Sequence, residues 1–567
     1  MVKRVCGSSI SCDVCYESCY SLMSTIANYW HTLRFLKAGQ ILGRLRFKYF
    51  VPRAAVRPAP TLRSCTADWI EPARRIPSML AENEFCFLNE VQRLLPGQWD
   101  DPTLGKLWRY NLHYFDDLNA SNARHRAEWH RKLLQQWVRE NPPATGTGWE
   151  PYPTSLRIVN WIKWGLSGNS LSSECIESLA TQTRWLYMRL EYHLLGNHLF
   201  SNAKALVFGG VYFSGAEADR WFNRGMSILN REVPEQILAD GGHFERSPMY
   251  HSIMLEDLLD LINLAMCYRE RFSSLQVADN WKEVASRMTS WLQIMLHPDG
   301  DISFFNDSAV GIAPVPPEIF EYGDRLGVST SWPERKNLIH LPSSGYARMR
   351  SPSSVFILDL APVGPDYLPG HAHADTLSFE GSVFGHRVFV NSGTSCYDVG
   401  EDRNYQRGTS AHNTVIVDDE DSSEVWGGFR VARRAYPKIH QIRDDGSCLE
   451  ISASHDGYLR LAGKITHYRK WFFSEGSLII DDRIEGKFKK ANARFYLHPN
   501  VKLNCDLIEE GQVELILPNS RRINFVITGG GLLRESTNWY PEFGISAPNQ
   551  CLVVNFLRPE LTTSISW

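Results

Sequence analysis

The sequence lacks the features that mark several broad classes of protein. It has no run of about 18 or more uncharged apolar residues, so no transmembrane helix is predicted. Its formal net charge is only −3 over 567 residues. The chain as a whole therefore lacks the excess of positive charge that is typical of nucleic-acid-binding proteins. Lys3 and Arg4 are not followed by an apolar segment, so no secretory signal peptide is predicted.

The cysteines also lack the spacing of a disulfide framework. Twelve are present, and Cys12 and Cys15 form a C-x-x-C pair, but no second pair follows at the spacing of a zinc site. Most of them are therefore expected to be free thiols. We expect the stretch up to about Thr25 to be a poorly structured extension or the result of a wrongly assigned start.

The composition is that of an ordinary soluble, core-forming protein. Hydrophobic residues make up 43% of the chain and charged residues 22%. The length predicts roughly two to four domains. The 18 tryptophans would suit a sugar-binding groove, although most large aromatic rings are expected in the core.

The sequence pattern divides the chain into three parts. Residues 1–60 comprise the extension, a basic amphipathic helix over 31–50 and a linker with Pro52, Pro58 and Pro60. For the basic helix we favour docking on the protein's own surface over contact with anionic lipid or an acidic partner. Residues 61–340 show helical periodicity, and residues 341–567 consist of short β-rich runs typical of an antiparallel sandwich. The fold class is thus α+β and multidomain.

One short motif stands out near the start of the β part. His371, His373 and Asp375 occupy alternate positions after Gly370. On an extended backbone, alternate side chains project to the same face. The motif therefore indicates a cluster of groups that carry protons or bind metal, placed where the β domain could face the helical one; a solvated strand edge is the alternative.

Two loops of the helical part are rich in reactive groups. Asn197 and His198 follow Gly196, and they could bind a carboxylate or be a helix cap and a packed ring. The second loop, residues 240–251, carries several polar groups just ahead of an apolar helix, namely His243, Glu245, Arg246, Tyr250 and His251.

Six stretches together resemble the heparinase II/III-type polysaccharide lyases, whose relatives include the oligoalginate lyases. They are LWRYNLHYFDDL, GNHLFSNAKAL, DGGHFERSPMYH, GHAHADTLSFE, VNSGTSCYD and RGTSAHNTVIVDDEDSSEVWGGFRVARR. The resemblance implies an incomplete α/α toroid followed by an antiparallel β-sandwich. It also implies β-elimination on an anionic, uronic-acid-containing polysaccharide. A periplasmic location is implied too, whereas the missing export signal favours the cytoplasm as an alternative.

The resemblance assigns roles to particular residues. Asn197 and His198 would hold and neutralise the substrate carboxylate. Tyr250 would be the general acid, and in some geometries also the base, while His371 would be the base or its partner. Further residues are expected to line the substrate groove: His243, Glu245, Arg246, Trp426 and Arg430.

The resemblance also implies a structural zinc site formed by two histidines and one aspartate. By motif these positions are His373, Asn391 and His412. Asn391 stands where the family pattern has aspartate, and a neutral amide is a poorer zinc ligand because it brings no compensating charge. A hydrogen-bonded cluster of His373 and His412 is the alternative.

Two other functions compete with a lyase. A non-catalytic glycan-binding protein of capsule or O-antigen biosynthesis could use the same fold. A metal-dependent hydrolase could use the H-x-H-x-D pattern, but Thr376 stands where the metallo-β-lactamase signature has a further histidine. The sequence makes no prediction of the oligomeric state.

Overall fold

The computed structural model describes residues 25–272, 276–328 and 336–567. Helices dominate as far as residue 325, and strands dominate from residue 338 onward. This confirms the predicted order of a helical part followed by a β part. The predicted extension before Thr25, with Cys12 and Cys15, lies outside the described residues.

The helical part surrounds a core rich in tryptophan, leucine and isoleucine side chains. Several of its helices begin at recognisable signals: Pro151 occupies the first turn of one, and the Ser172 hydroxyl accepts from the backbone N–H of Cys175 at the start of the next. The main helices are Lys106–Tyr114, Ala127–Glu140, Pro151–Leu166, Ser173–Met188, Gly196–Tyr212, Ala216–Gln236, Pro248–Cys267, Val277–Ile294 and Pro316–Arg325. They are preceded by a small antiparallel sheet that was not predicted, with strands Met79–Ala81, Glu84–Phe87 and Glu90–Arg93.

The β part contains two large antiparallel sheets whose apolar faces enclose one core, and a small two-stranded sheet of Val425–Trp426 and Arg430–Val431. In the described residues, eight strands form the first sheet, in the order Pro437–Asp444, Cys448–His455, Thr466–Ser474, Ser477–Glu485, Glu560–Ser566, Arg522–Thr528, Gln512–Ile516 and Lys502–Asn504. The nine-stranded sheet runs in the order Gly530–Trp539, Ala547–Phe556, Ala491–Leu497, His386–Phe389, Phe379–Val383, Ser354–Asp359, Tyr346–Ser351 and Leu338–Leu341, with Val415–Val417 paired to Ala491–Leu497.

The hairpin of strands Thr466–Ser474 and Ser477–Glu485 shows how the sequence specifies the first sheet. Leu478, Ile480 and Ile484 are buried at alternate positions, as the period of a half-buried strand requires. A two-residue turn joins the strands, and Gly476 adopts a positive φ of 84° there.

One strand of the nine-stranded sheet joins the two parts of the protein. Ser354–Asp359 is buried along its whole length, because its two faces pack on different partners. Phe356 and Leu358 point into the sandwich core. Val355 and Ile357 pack with Trp291 of a helix in the first part. This interface sets the loops of the sheet against the helical part and so positions the candidate site.

The basic segment that was predicted as one helix over 31–50 forms two. Residues 25–33 are helical, and a second helix spans Ala38–Tyr49. Within the described ranges, no helix combines the length and the apolar content needed to cross a bilayer.

Candidate active site

The stretch from His371 to Asp375 is a loop with a turn at His371 and a bend at Ala374, and the expectation of a strand is wrong at this point. Its alternate side chains nevertheless converge on one segment of the helical part. His371 Nδ1 and His373 Nε2 each lie 2.8 Å from a carboxylate oxygen of Asp307. A carboxylate oxygen of Asp375 accepts from the backbone N–H of Asn306 at 3.0 Å. The shared direction of the three side chains is therefore present without a sheet hydrogen-bond ladder.

Asp307 is the centre of this arrangement, and no motif in the sequence indicated it. Its fully buried carboxylate also receives both terminal nitrogens of the Arg403 guanidinium, with Nη2 2.7 Å from Oδ2. Burial favours the neutral acid, but Arg403 and the two imidazoles outweigh it and hold the pKa of Asp307 well below its usual range. Asp307 lies 64 residues before His371 in a loop rich in Asn and Asp. No local pattern links the two.

Tyr250 lies beside His371. It occupies the first turn of helix Pro248–Cys267, where its backbone N–H donates to the Ser247 hydroxyl. Its ring centroid is 4.0 Å from that of His371, and its hydroxyl is 2.9 Å from the hydroxyl of Tyr397. Burial, with the neighbouring Tyr397, raises the pKa of Tyr250 well above its usual range. The phenol therefore carries its proton at neutral pH, as a general acid must.

Asn197 and His198 lie in the first turn of helix Gly196–Tyr212, where backbone N–H groups and the helix dipole favour negative charge. Leu195 is the N-cap residue, so the alternative of Asn197 as a helix cap is wrong. The His198 side chain is 28% exposed, and its Nδ1 lies 3.3 Å from the Glu191 carboxylate. Burial lowers the pKa of His198, but the Glu191 carboxylate outweighs it and the net pKa is raised. A positively charged imidazole at this position can neutralise a bound carboxylate.

Gly196 allows this first turn to approach its neighbours closely. Its φ is 52°, and a Cβ there would lie 2.5 Å from the Leu368 side chain and 2.8 Å from the Glu245 carboxylate. The close approach sets the turn that carries Asn197 against the loop that carries Glu245.

The loop over 240–251 lies deeper than the sequence suggested. His243 is fully buried, with Nε2 3.3 Å from the Gln236 side chain. Arg246 donates from Nε to the carbonyl of Ser344 at 2.9 Å, so it ties the helical part to the sheet. Glu245 is also buried, but its carboxylate lies 3.9 Å from His371 Nε2. Of these three residues, Glu245 is the one whose side chain lies close to His371.

Trp426 and Arg430 are held against the N-terminal segment. The Trp426 indole donates to the Thr32 hydroxyl at 3.2 Å, and the Arg430 guanidinium lies 4.8 Å above the Trp426 ring. Phe429, which was not predicted, reaches His371 instead, with ring centroids 6.0 Å apart. The substrate-binding roles of Trp426 and Arg430 stay predictions.

The residues of the implied zinc site lack a charged third ligand, because Asn391 is neutral. His373 Nε2 lies 2.8 Å from Asp307, and His373 Nδ1 lies 3.3 Å from His412 Nε2. That separation fits a hydrogen bond, and it also fits two ligands of one zinc ion, since Zn–N bonds are about 2.0–2.1 Å long. The Asn391 side-chain oxygen accepts from the backbone N–H of Asn413 at 3.2 Å. In the part of the chain that is described, no three or more His, Cys, Asp or Glu side chains are grouped to hold a metal ion. The zinc site and the hydrogen-bonded cluster of His373 and His412 both stay predictions.

The Asn391→Asp substitution tests whether a negatively charged third ligand decides zinc binding. The Asn391→Asp variant, purified in the presence of zinc, is expected to retain about one zinc per chain, because the substitution restores the charged third ligand. The unaltered protein should retain far less. Elemental analysis measures the metal, and a zinc-dependent rise in melting temperature reports binding to the folded state. The double variant Asn391→Asp/His412→Ala is the control. Stoichiometric zinc in the unaltered protein would show that Asn391 is no obstacle.

A cavity of about 650 Å³ in the helical part lies next to this region, and its lining does not include Asn197, His198, Tyr250 or His371. Tyr152 lines it and packs on His198 with ring centroids 4.4 Å apart; Phe543 lines it and packs on Tyr397 at 4.8 Å. The charged lining side chains include Arg75, Lys163, Lys204, Glu256, Asp257 and Asp260. The volume is in the range of sites for small ligands, and the polar walls suit a hydroxyl-rich one.

Comparison with known proteins places both parts of the chain in one family. Residues 111–318 match the family described as Heparinase II/III N-terminus, and residues 333–567 match Heparinase II/III-like, C-terminal. A heparin-sulfate lyase of Bacteroides stercoris is 22% identical over 450 residues, which are 70% of this chain and 63% of that protein. A heparin-sulfate lyase of Pedobacter heparinus is 25% identical over 361 residues, which are 55% of this chain and 52% of that protein. The chain thus spans less than two thirds of the length of either relative.

A third relative is named for its localisation and not for a lyase activity. The FtsZ-localized protein C of Caulobacter vibrioides is 25% identical over 469 residues, which are 77% of each chain.

Solved structures share the fold. A crystal structure of heparinase III has a TM-score of 0.66 at 19% identity and covers 84% of this chain and 79% of that one. A chondroitin AC lyase of Streptomyces coelicolor, in complex with chondroitin sulphate, has a TM-score of 0.52 at 12% identity, covering 93% and 78%. The predicted fold class is therefore confirmed. Since its helical part and its β part match the two halves of one family, the chain belongs to the heparinase II/III family.

Proposed function

We propose that the protein is a polysaccharide lyase that cleaves a uronic-acid-containing polysaccharide by β-elimination. The observation that carries the proposal is the pairing of Tyr250 with His371, whose ring centroids lie 4.0 Å apart. Glu245 links this pair to the helix turn of Asn197 and His198, because its carboxylate lies 3.9 Å from His371 Nε2 and against Gly196. The similarity to heparin-sulfate lyases supports the reaction class.

The first requirement of the reaction is the removal of a proton from a weakly acidic carbon atom. The carbon next to the uronate carboxylate becomes more acidic when that carboxylate is neutralised, because the departing electron pair is delocalised onto it. Asn197 would donate hydrogen bonds to the carboxylate. His198, whose pKa is raised by Glu191 against the effect of burial, would supply positive charge.

The second requirement is a base. His371 Nδ1 is held by the Asp307 carboxylate at 2.8 Å, so when Nδ1 carries the proton, Nε2 keeps its lone pair for the substrate. Arg403 keeps Asp307 ionised. The proton passes to Nε2, and the electron pair of the C–H bond forms the new carbon–carbon double bond. In the other open assignment Tyr250 is the base and His371 its partner. That assignment needs an ionised tyrosine, which the raised pKa of Tyr250 disfavours.

The third requirement is an acid for the departing oxygen. When the glycosidic C–O bond breaks, its electron pair stays on the oxygen of the leaving sugar, and the Tyr250 hydroxyl donates a proton there. The Tyr397 hydroxyl, at 2.9 Å, can donate a hydrogen bond to the tyrosinate that forms. The products are an unsaturated uronate end and a new reducing end.

The competing proposal is a non-catalytic glycan-binding protein. The relative named FtsZ-localized protein C favours it, because that name indicates a localisation and no lyase reaction. The four predicted catalytic residues favour the lyase, since Tyr250 and His371 adjoin and Asn197 and His198 start the neighbouring helix. The hydrolase alternative has no arranged group of metal ligands in the described residues to support it.

A polymer screen tests the proposal. Incubation with alginate, heparan sulfate, hyaluronan and the capsule of the source organism should give, for one of them, the ultraviolet absorbance of an unsaturated uronate. The His371→Ala variant should reduce that rate by a factor of about 10² to 10⁴. This variant, purified in the same way, is also the control for a contaminating lyase. Binding of a polymer without any unsaturated product would favour the glycan-binding alternative.

A further inference from the structure

The N-terminal segment of residues 25–53, which we call the basic strap, lies across both parts of the protein. On the helical part, Lys37 Nζ lies 2.8 Å from the Glu235 carboxylate. On the β part, the Gln40 side-chain amide donates to the carbonyl of Tyr367 at 3.1 Å, and Thr32 accepts from the Trp426 indole. The strap is thus docked on the protein in a defined orientation.

Its second helix, Ala38–Tyr49, packs on the protein through the side that carries Gln40, Gly43 and Phe47. Gln40 is 5% exposed, and Gly43 packs on the backbone of His193, where an added Cβ would lie 3.0 Å from a backbone nitrogen. The Phe47 ring packs beside the His193 ring with centroids 4.2 Å apart. These three positions share one side of the helix.

The opposite side of this helix is apolar and faces solvent. Ile41, Leu42, Leu45 and Tyr49 are 50%, 66%, 51% and 74% exposed, and their spacing places them on one stripe. A helix docked only for stability would turn such a stripe toward the core. The outward stripe is therefore a surface without a partner in the described chain.

The helix before it repeats the pattern. Over residues 25–33, Ile26, Trp30 and Leu33 recur at steps of four and three residues and are 61%, 67% and 50% exposed. Two consecutive helices thus present apolar stripes that include an exposed tryptophan and an exposed tyrosine. Both residue types are favoured at membrane–water interfaces.

The charge of the strap has a single sign. Residues 25–67 contain no Asp or Glu, and the strap carries Arg34, Lys37, Arg44, Arg46, Lys48 and Arg53. By helical angle, Arg44 and Lys48 flank one edge of the stripe and Arg46 the other. None of these three pairs with a carboxylate of the described residues. They are thus free to meet an external anion.

We propose that the basic strap binds the surface of an anionic lipid membrane, with its apolar stripes in the headgroup region and its cations on the lipid phosphates. Charge complementarity selects this occupant. A second copy of the chain would bring two acid-free basic surfaces face to face in a symmetric contact. The proposal is independent of the lyase reaction, and the location of the site beside the strap would bring a lyase close to a membrane-associated glycan.

Vesicle sedimentation with the full chain tests the proposal. The protein should pellet with vesicles of phosphatidylcholine containing about one third phosphatidylglycerol, and the pelleted fraction should fall as salt rises, because exposed charges are screened. It should remain in solution with phosphatidylcholine alone. The double variant Leu42→Glu/Leu45→Glu should lose about tenfold or more in partitioning to the anionic vesicles.

The matched control is Leu557→Glu, the same change at a leucine of the β part that is 78% exposed. It should pellet as the unaltered protein does, and both variants should keep the melting temperature of the unaltered chain. The proposal is overturned if the anionic vesicles fail to pellet the protein, or if the double variant pellets equally well. Gel filtration that shows a dimer abolished by the double variant, without vesicle binding, would assign the surface to self-association.

Discussion

The Tyr250→Phe variant is expected to lose turnover by a factor of about 10² to 10⁴ while still binding its polysaccharide. The substitution removes one hydroxyl, which is the proposed proton donor to the leaving oxygen, and keeps the buried ring beside His371. Initial rates from the ultraviolet absorbance of the product measure turnover, and equilibrium titration with the polymer measures binding.

Tyr397→Phe is the matched control for this prediction. It removes the hydroxyl that lies 2.9 Å from that of Tyr250 but keeps the proposed acid. A loss of about tenfold or less is expected, the effect of one hydrogen bond. Full activity in Tyr250→Phe would mean that the acid assignment is wrong, whereas equal losses in the two variants would mean that the hydroxyls act as a unit.

The Asp307→Asn variant is expected to lower the free energy of unfolding by about 3 to 5 kcal/mol, because it leaves a buried charge without its partner. Asp307 and Arg403 are both fully buried, and the same carboxylate accepts from His371 and His373. An amide has one acceptor oxygen and no negative charge to replace these contacts. Urea unfolding followed by circular dichroism measures the loss, and turnover should fall with it because His371 loses its orienting partner.

Two further variants test whether the loss of stability comes from the unpaired buried charge or from the removal of any carboxylate. Glu514→Gln removes the partner of the exposed Arg522, and it should cost no more than about 1 kcal/mol, as surface pairs do. The double variant Asp307→Asn/Arg403→Met should be more stable than Asp307→Asn, since no unpaired charge remains. If Asp307→Asn unfolds at the same urea concentration as the unaltered protein, the central role of Asp307 is refuted.

Much of the architecture was predictable because its signals are local. The alternation of Leu478, Ile480 and Ile484 and the turn at Gly476 predict a strand and a hairpin without knowledge of the rest of the chain. The same holds for the apolar helix that begins after Ser247. Motif resemblance named Tyr250 and His371, and the structure places their rings in contact. Their catalytic roles stay predictions until the variants are measured.

Other features were decided by contacts between residues far apart in the chain. Asp307 became the centre of the site through side chains that follow it by more than 60 positions, His371 and Arg403 among them. The pairing of His373 with His412 at 3.3 Å depends on how two loops of the sheet meet, and it sets their nitrogens toward each other. No pattern of a few neighbouring residues contains this information.

The sequence by itself determined the order of the two parts and the family, and it predicted the reactive groups, because periodicity and motifs are properties of neighbouring residues. Only the tertiary structure decided which carboxylate holds His371. It also decided that the apolar stripe at Ile41 and Leu42 faces outward, since periodicity shows that a helix has an apolar face but not what that face meets. Burial and electrostatic environment depend on the packing of distant segments, and that packing exists only in the folded chain.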